Sequence, residues 1–181
     1  MHIEYEVRIL NIDKSKIIQK LEELGATFEW ESLQKRYTYD FNPKDEKRWI
    51  RLRQNGVETT LTIKNVKSFE IDGTEELEIN VDSFENTNLI LNQLGYFHKA
   101  FQENKRRRYH LNGVEIDIDS WPLIPDYIEI EGKNEEEVLN IIEALGYKKE
   151  EVTSKDVQSI YLEYGIDLET MKELKLESER K

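Results

Sequence analysis

Residues 3–9, Ile-Glu-Tyr-Glu-Val-Arg-Ile, alternate without a break. Ile3, Tyr5, Val7 and Ile9 fall on one side of an extended chain, and Glu4, Glu6 and Arg8 on the other. The same period of two returns along the chain. Arg51 and Arg53 stand opposite Ile50 and Leu52; Thr60, Thr62 and Lys64 opposite Leu61 and Ile63; Glu76 and Glu78 opposite Leu77, Ile79 and Val81; and Glu129 and Glu131 opposite Ile128 and Ile130. With the segments 35–41, 103–111 and 114–119 this predicts eight strands, mostly antiparallel because turn-prone pieces such as 42–47, 54–56 and 71–75 join them closely. Asn112-Gly113 is a two-residue hairpin signal that sets Leu111 opposite Val114, Arg108 opposite Asp117 and Arg106 opposite Asp119. The run 105–108, Lys-Arg-Arg-Arg, then splits between two faces, with Arg106 and Arg108 on the charged one.

Three segments change to helical period: 13–25, 86–95 and 134–146. Each opens on Asp or Asn, spaces its apolar residues for one helix face and ends in Leu-Gly, where the chain turns left-handed. A fourth helix is expected from near Ser154 and another after Asp167, with a frayed polar tail from about Lys172. The partition expected is one domain over residues 1–165, then a C-terminal helix and tail over 166–181.

Two architectures fit these strands. One is a sheet with an apolar face under helices and a charged face in water. The other is a closed barrel, which eight strands can form, with the apolar face outside against helices and the charges inside. The charged faces carry almost no Ser, Gln or Asn and prefer Arg to Lys, which favours the barrel. Ion pairs are costly to bury, several kcal/mol per ion, so a charged lumen implies a use for the charges.

Composition narrows that use. The chain has 181 residues and no cysteine, so disulfides, thiolate metal sites and cysteine nucleophiles are excluded. Its three histidines show no ligand spacing, which leaves carboxylates and the metals that prefer oxygen. A formal charge of −12 disfavours nucleic acid and anionic membranes as partners. No apolar run reaches the ~20 residues that span a bilayer and no leader pattern opens the chain, so a cytoplasmic protein is expected. Carboxylates facing arginines across one cavity suit a metal–polyphosphate chelate: hard divalent cations take carboxylate oxygens, and guanidinium groups take phosphate oxygens.

Glu4-Tyr5-Glu6-Val7-Arg8 resembles the ExExK signature of the CYTH superfamily, the triphosphate tunnel metalloenzymes. The segments WIRLR, LTIK, EELE, KRRRY, EIDID and YIEIEG follow in the family's order over roughly residues 1–165. The resemblance implies an α+β fold, an eight-stranded antiparallel β-barrel (tunnel) with a charged interior flanked by helices, acting on a small-molecule triphosphate with Mg²⁺ or Mn²⁺. It implies Glu4, Glu6, Glu129 and Glu131 as metal ligands, with Asp117 and Asp119 as additional candidates. Arg51, Arg53, Lys64 and Arg106 are implied triphosphate contacts, joined by Arg108 and Arg8, and Lys64 and Arg8 hold the catalytic positions. Arg8 stands where the signature has Lys, and Thr38, in Arg36-Tyr37-Thr38-Tyr39-Asp40, stands where the pattern D-x-Y-Y-D has a tyrosine. That departure counts against thiamine triphosphate as substrate. Triphosphate hydrolysis, cyclic AMP formation from ATP, and polyphosphate or nucleotide binding without turnover all remain open, as does a homodimer.

Overall fold

The computed structural model describes residues 1–177. The elements run β1 (His2–Ile9), α1 (Lys14–Glu23), β2 (Thr27–Asp45), β3 (Arg48–Gln54), β4 (Thr59–Val66), β5 (Thr74–Asn80), α2 (Phe84–Gln93), β6 (Ala100–Leu111) and β7 (Val114–Ser120). They continue with β8 (Tyr127–Gly132), α3 (Glu135–Leu145), α4 (Val157–Glu163) and β9 (Glu173–Leu174). The strand order is β2-β3-β4-β5-β1-β8-β7-β6, and β6 pairs back onto β2, so the eight antiparallel strands close into a barrel. β9 adds a short parallel edge to β6. No helix among the described residues is long and apolar enough to cross a membrane.

Two strands make closure work by serving different neighbours along their length. β1 pairs with β5 through His2, Ile3 and Glu4, then with β8 from Tyr5 to Ile9. β2 runs along β6 from Thr27 to Thr38 and along β3 from Lys35 onward. Its first half, 27–34, lies outside the strand expected at 35–41. A bulge between Phe28 and Trp30 shifts the register there and breaks the alternation by which a strand is read.

The apolar parity faces out and is covered over much of the barrel, while Ile3, Leu77 and Ile79 stay exposed. Val7, Ile9, Ile116, Ile118, Ile128 and Ile130 meet Ile17 and Leu21 of α1 and Val138, Ile141, Ile142 and Leu145 of α3. Ile128 and Ile130 are fully buried there, worth about 1.5–3 kcal/mol each. Tyr39, Ile50 and Leu52 pack on Phe84 and Leu91 of α2. The chain after α3 packs beside the cavity, where Ile160, Tyr161, Leu168 and Leu174 cluster with Trp121, Ile124 and Tyr127.

The helices start where polar side chains take up the free amides. Asp13 accepts from the amides of Ser15 and Lys16, and Asn134 from that of Glu137, whose own carboxylate accepts from Lys133 N. α2 begins earlier than the expected Asn86, because Ser83 caps it by accepting from Asn86 N. Asp156 caps α4, so that helix begins at Val157. Gly25, Gly95 and Gly146 end their helices at φ of 77°, 91° and 91°. Among the described residues after Asp167 there is no α-helix: the chain makes a 3-10 turn, Leu168–Thr170, then pairs as β9. Leu168 and Leu174 anchor this stretch by burying in the third cluster. Of the tail expected to fray, residues 178–181 lie outside the described part.

Candidate active site

The hairpin register holds as predicted: Leu111 pairs with Val114, Arg108 with Asp117 and Arg106 with Asp119. The charged parity therefore points into the barrel. A cavity of about 140 Å³ opens there, and Glu6, Arg8, Arg51, Lys64, Arg106 and Glu129 line its charged centre. Arg53, Arg108, Glu4, Glu131, Asp117 and Asp119 stand in the same interior network but outside that lining.

The acids sort into two groups. Glu4 and Glu6 from β1 and Glu131 from β8 bring carboxylate oxygens within 4.8 Å of one another, because β1 and β8 pair Glu6 with Glu131. Burial first, then the charges of Glu6, Glu129 and Glu115, push Glu131 up to about 7. Burial also raises Glu4, against the pull of Lys64. The Lys64 ammonium lies 3.0 Å from Glu4 and 3.4 Å from Glu76. Glu76 has Arg51 as well, at 2.8 Å, and takes the negative charge: despite burial, Arg51 and Lys64 hold it below the usual carboxylate range. An all-oxygen trio of this kind fits a hard divalent cation of the Mg²⁺ or Mn²⁺ type.

The other acids are engaged by arginines. Glu129 sits 2.6 Å from Arg8 and 2.9 Å from Arg106, and against burial Arg106 and Arg8 hold it well below the usual range. Asp119 clasps Arg106 through two hydrogen bonds, Nε to Oδ1 at 2.8 Å and Nη2 to Oδ2 at 2.5 Å. Asp117 takes Arg106 at 2.7 Å and Arg108 at 2.7 Å. Of the six acids expected as metal ligands, Glu4, Glu6 and Glu131 converge, with Lys64 beside Glu4 and Arg8 beside Glu6, and Glu129, Asp117 and Asp119 hold arginines.

The cations are placed in turn. Arg51 bonds Glu76 and Glu78, and Arg53 lies 3.6 Å from Glu78. Burial, Arg51 and Arg106 together lower Arg53 to about 10, the mark of crowded positive charge. Burial lowers Lys64 less than Glu6, Glu4 and Glu76 raise it, so it stays a donor. Arg8 bonds Glu6, Glu129 and the carbonyl of Lys155, which pins α4's leading loop to the barrel. Lys105 and Arg107, of opposite parity, meet Glu31 on the outside. His110 is half exposed beside Glu29 at 2.7 Å.

The CYTH domain profile matches residues 2–160. The chain belongs to this family. Among curated relatives, a Methanocaldococcus jannaschii protein provisionally named an adenylate cyclase is 27% identical over 84% of this chain and 95% of its own length. A solved Pyrococcus horikoshii structure shares the fold at TM-score 0.73, with 24% identity over 85% of this chain and 96% of the other. A Hippeastrum protein, provisionally an adenylyl cyclase and described as revealing a dominant triphosphatase activity, matches at TM-score 0.61. It is 17% identical over 93% of this chain and 97% of the other.

Within this CYTH barrel the sequence reading missed some lining residues. Arg36, buried on β2, and Lys99, Asp40 and Glu169 at the rim all face the cavity. Lys99 joins Asp40 at 2.8 Å and Glu169 at 2.6 Å, tying the C-terminal turn to the barrel mouth. For Arg36 the signal was present: Arg36, Thr38 and Asp40 share one parity on β2. Glu169 carried none, since only the tertiary path of the C-terminal turn brings it there.

Proposed function

We propose that this CYTH protein hydrolyses the triphosphate of a small-molecule substrate inside the barrel, with Mg²⁺ or Mn²⁺. One observation carries the reading: three converging carboxylates, Glu4, Glu6 and Glu131, share one interior with Lys64, Arg51 and Arg106, Lys64 lying 3.0 Å from Glu4. Glu4, Glu6 and Glu131 would hold the cation, which supplies neutralisation of phosphate charge and acidification of water.

The remaining steps belong to the chain's own side chains. Arg51, Arg53, Arg106 and Lys64 donate to phosphate oxygens; Arg106 keeps one N–H for this, the other four being given to Asp117, Asp119 and Glu129. Asp117, Asp119 and Glu129 hold Arg106 in a fixed direction, so little ordering is left for the moment of binding. Arg108, held by Asp117 and Glu115, supports the same group from outside the lining. Arg8 cannot give up its proton at neutral pH, and its part is to fix Glu6 and Glu129. Burial of these cations in the barrel strengthens each charged contact.

Product analysis with tripolyphosphate, ATP and GTP in Mg²⁺ or Mn²⁺ tests this. Release of inorganic phosphate from any of them is the expected result. Cyclic AMP and pyrophosphate from ATP would make the protein a cyclase instead, and tight binding without turnover would make it a binding module.

A further inference from the structure

Arg36 differs from every other buried cation in the barrel. Arg8, Arg51, Arg53, Lys64 and Arg106 each have a carboxylate within salt-bridge reach. Arg36 has none among the described residues. Its guanidinium meets two amide oxygens, Gln34 Oε1 at 2.8 Å and Asn104 Oδ1, and lies 4.5 Å from the centre of the Trp121 ring. Its Nε has no partner. Neutral amides compensate a buried cation only in part, since desolvating an ion costs several kcal/mol unless an opposite charge is supplied. Burial, then the nearby Arg51, Arg53 and Arg106, lower Arg36 to about 9, which is the same shortage of negative charge seen another way.

Position says what kind of anion would relieve it. Arg36, Thr38, Gln102 and Trp121 all line the cavity. Gln34 and Asn104, both buried, fill the space behind the guanidinium, and Asn104 is itself fixed by donating to Asp119 at 2.9 Å. A phosphate that ends a chain carries the negative charge that these neutral neighbours lack. Arg51 and Arg53 stand beside it on the neighbouring strand β3 and Arg106 on β6, and with Lys64 they grip the rest of the chain in the reading above.

We propose that Arg36 binds the unesterified terminal phosphate of the substrate, which sets how far the phosphate chain enters the barrel and selects triphosphates over diphosphates. This rests on the triphosphate reading of the same cavity. The terminal phosphates of an inorganic triphosphate and of a nucleoside triphosphate have the same chemistry here.

The test uses the full chain, wild type, Arg36→Gln and Arg36→Lys, titrated calorimetrically in Ca²⁺ with tripolyphosphate, pyrophosphate, ATP and ADP. Arg36→Gln should lose about 30-fold or more in affinity for tripolyphosphate and change pyrophosphate by less than about threefold. Arg36→Lys should fall between. The melting temperature of ligand-free Arg36→Gln should hold or rise, because a crowded charge is removed. A parallel loss for ATP but not ADP makes nucleotides ligands of the same kind; a loss for tripolyphosphate alone confines the role to the inorganic chain. Equal effects on tripolyphosphate and pyrophosphate, or none on either, with a fall in melting temperature, would make Arg36 a structural residue and overturn the inference while leaving the triphosphate reading intact. If the wild type binds neither tripolyphosphate nor ATP, both fall together.

Discussion

Replacing Arg106 by Met removes the hub of the interior network, and the structure says where the cost lands. Arg106 bonds Asp117, Asp119 and Glu129. Without it Asp117 keeps Arg108 at 2.7 Å and Glu129 keeps Arg8 at 2.6 Å. Asp119, fully buried, keeps only the amide of Asn104 at 2.9 Å. The variant therefore orphans one carboxylate rather than three. Leaving one partner of a buried pair alone costs about 3–5 kcal/mol, which in urea is a midpoint shift of roughly 1–3 M. Burial already lifts the Asp119 carboxyl above its usual range, and Arg106 is what counters it. In the variant it rises further. A buried acid with a raised folded pKa destabilises when ionised, so the deficit is full at pH 7 and shrinks as the pH falls toward 5 and the group protonates. Adding Asp119→Asn removes the orphan and should recover more than half of the loss. Urea unfolding of wild type, both single variants and the double variant at pH 7 and pH 5 measures all of this. A double variant no more stable than Arg106→Met, or a deficit that grows toward pH 5, would refute the reasoning.

Three further outcomes follow from the same geometry. Glu6→Gln with Glu131→Gln should abolish the rise in melting temperature that Mn²⁺ gives the wild type, while the metal-free variant melts at the same temperature or higher through lost repulsion; an unchanged Mn²⁺ effect would remove these residues as ligands. Arg51→Ala should weaken tripolyphosphate binding about 30-fold or more, whereas Lys105→Ala and Arg107→Ala, paired outside with Glu31, should alter it by less than about threefold by calorimetry. Glu169 is held below its usual 4.5 by Lys99 and Lys44, against burial; a depressed acid stabilises above its unfolded pKa and the gain is lost as pH falls through the folded one. Glu169→Gln should thus flatten the loss of stability below about pH 4.5 by up to about 1 kcal/mol, read from urea midpoints at pH 6 and pH 3.

The barrel was legible because the alternation of charged and apolar residues held in strand after strand from Ile3 to Glu131. Asn112-Gly113 fixed the pairing of Arg106 with Asp119 before any coordinates, since a two-residue hairpin allows one register. The first half of β2 was not legible. The bulge after Phe28 interrupts its alternation, and the stretch closes the barrel by pairing with a strand more than seventy residues away. The division of the acids was hidden for the same reason. Glu129 faces Arg8, and Glu131 faces Glu6, only because closure sets β8 beside β1. From sequence all four glutamates look alike; the register gives one to an arginine and leaves another beside a second acid. Ser83 as the cap of α2 was hidden because Asn86 offers an equally good cap three residues later.

A crystal grown with tripolyphosphate and Mn²⁺ tests, through manganese anomalous scattering, whether metal and phosphate bind side by side in the one interior. The account predicts a manganese peak about 2.1–2.3 Å from oxygens of Glu4, Glu6 and Glu131, with phosphate oxygens on Lys64, Arg51 and Arg106. Manganese held at Asp117 and Asp119, or tripolyphosphate bound on the outer surface of the barrel, would contradict it.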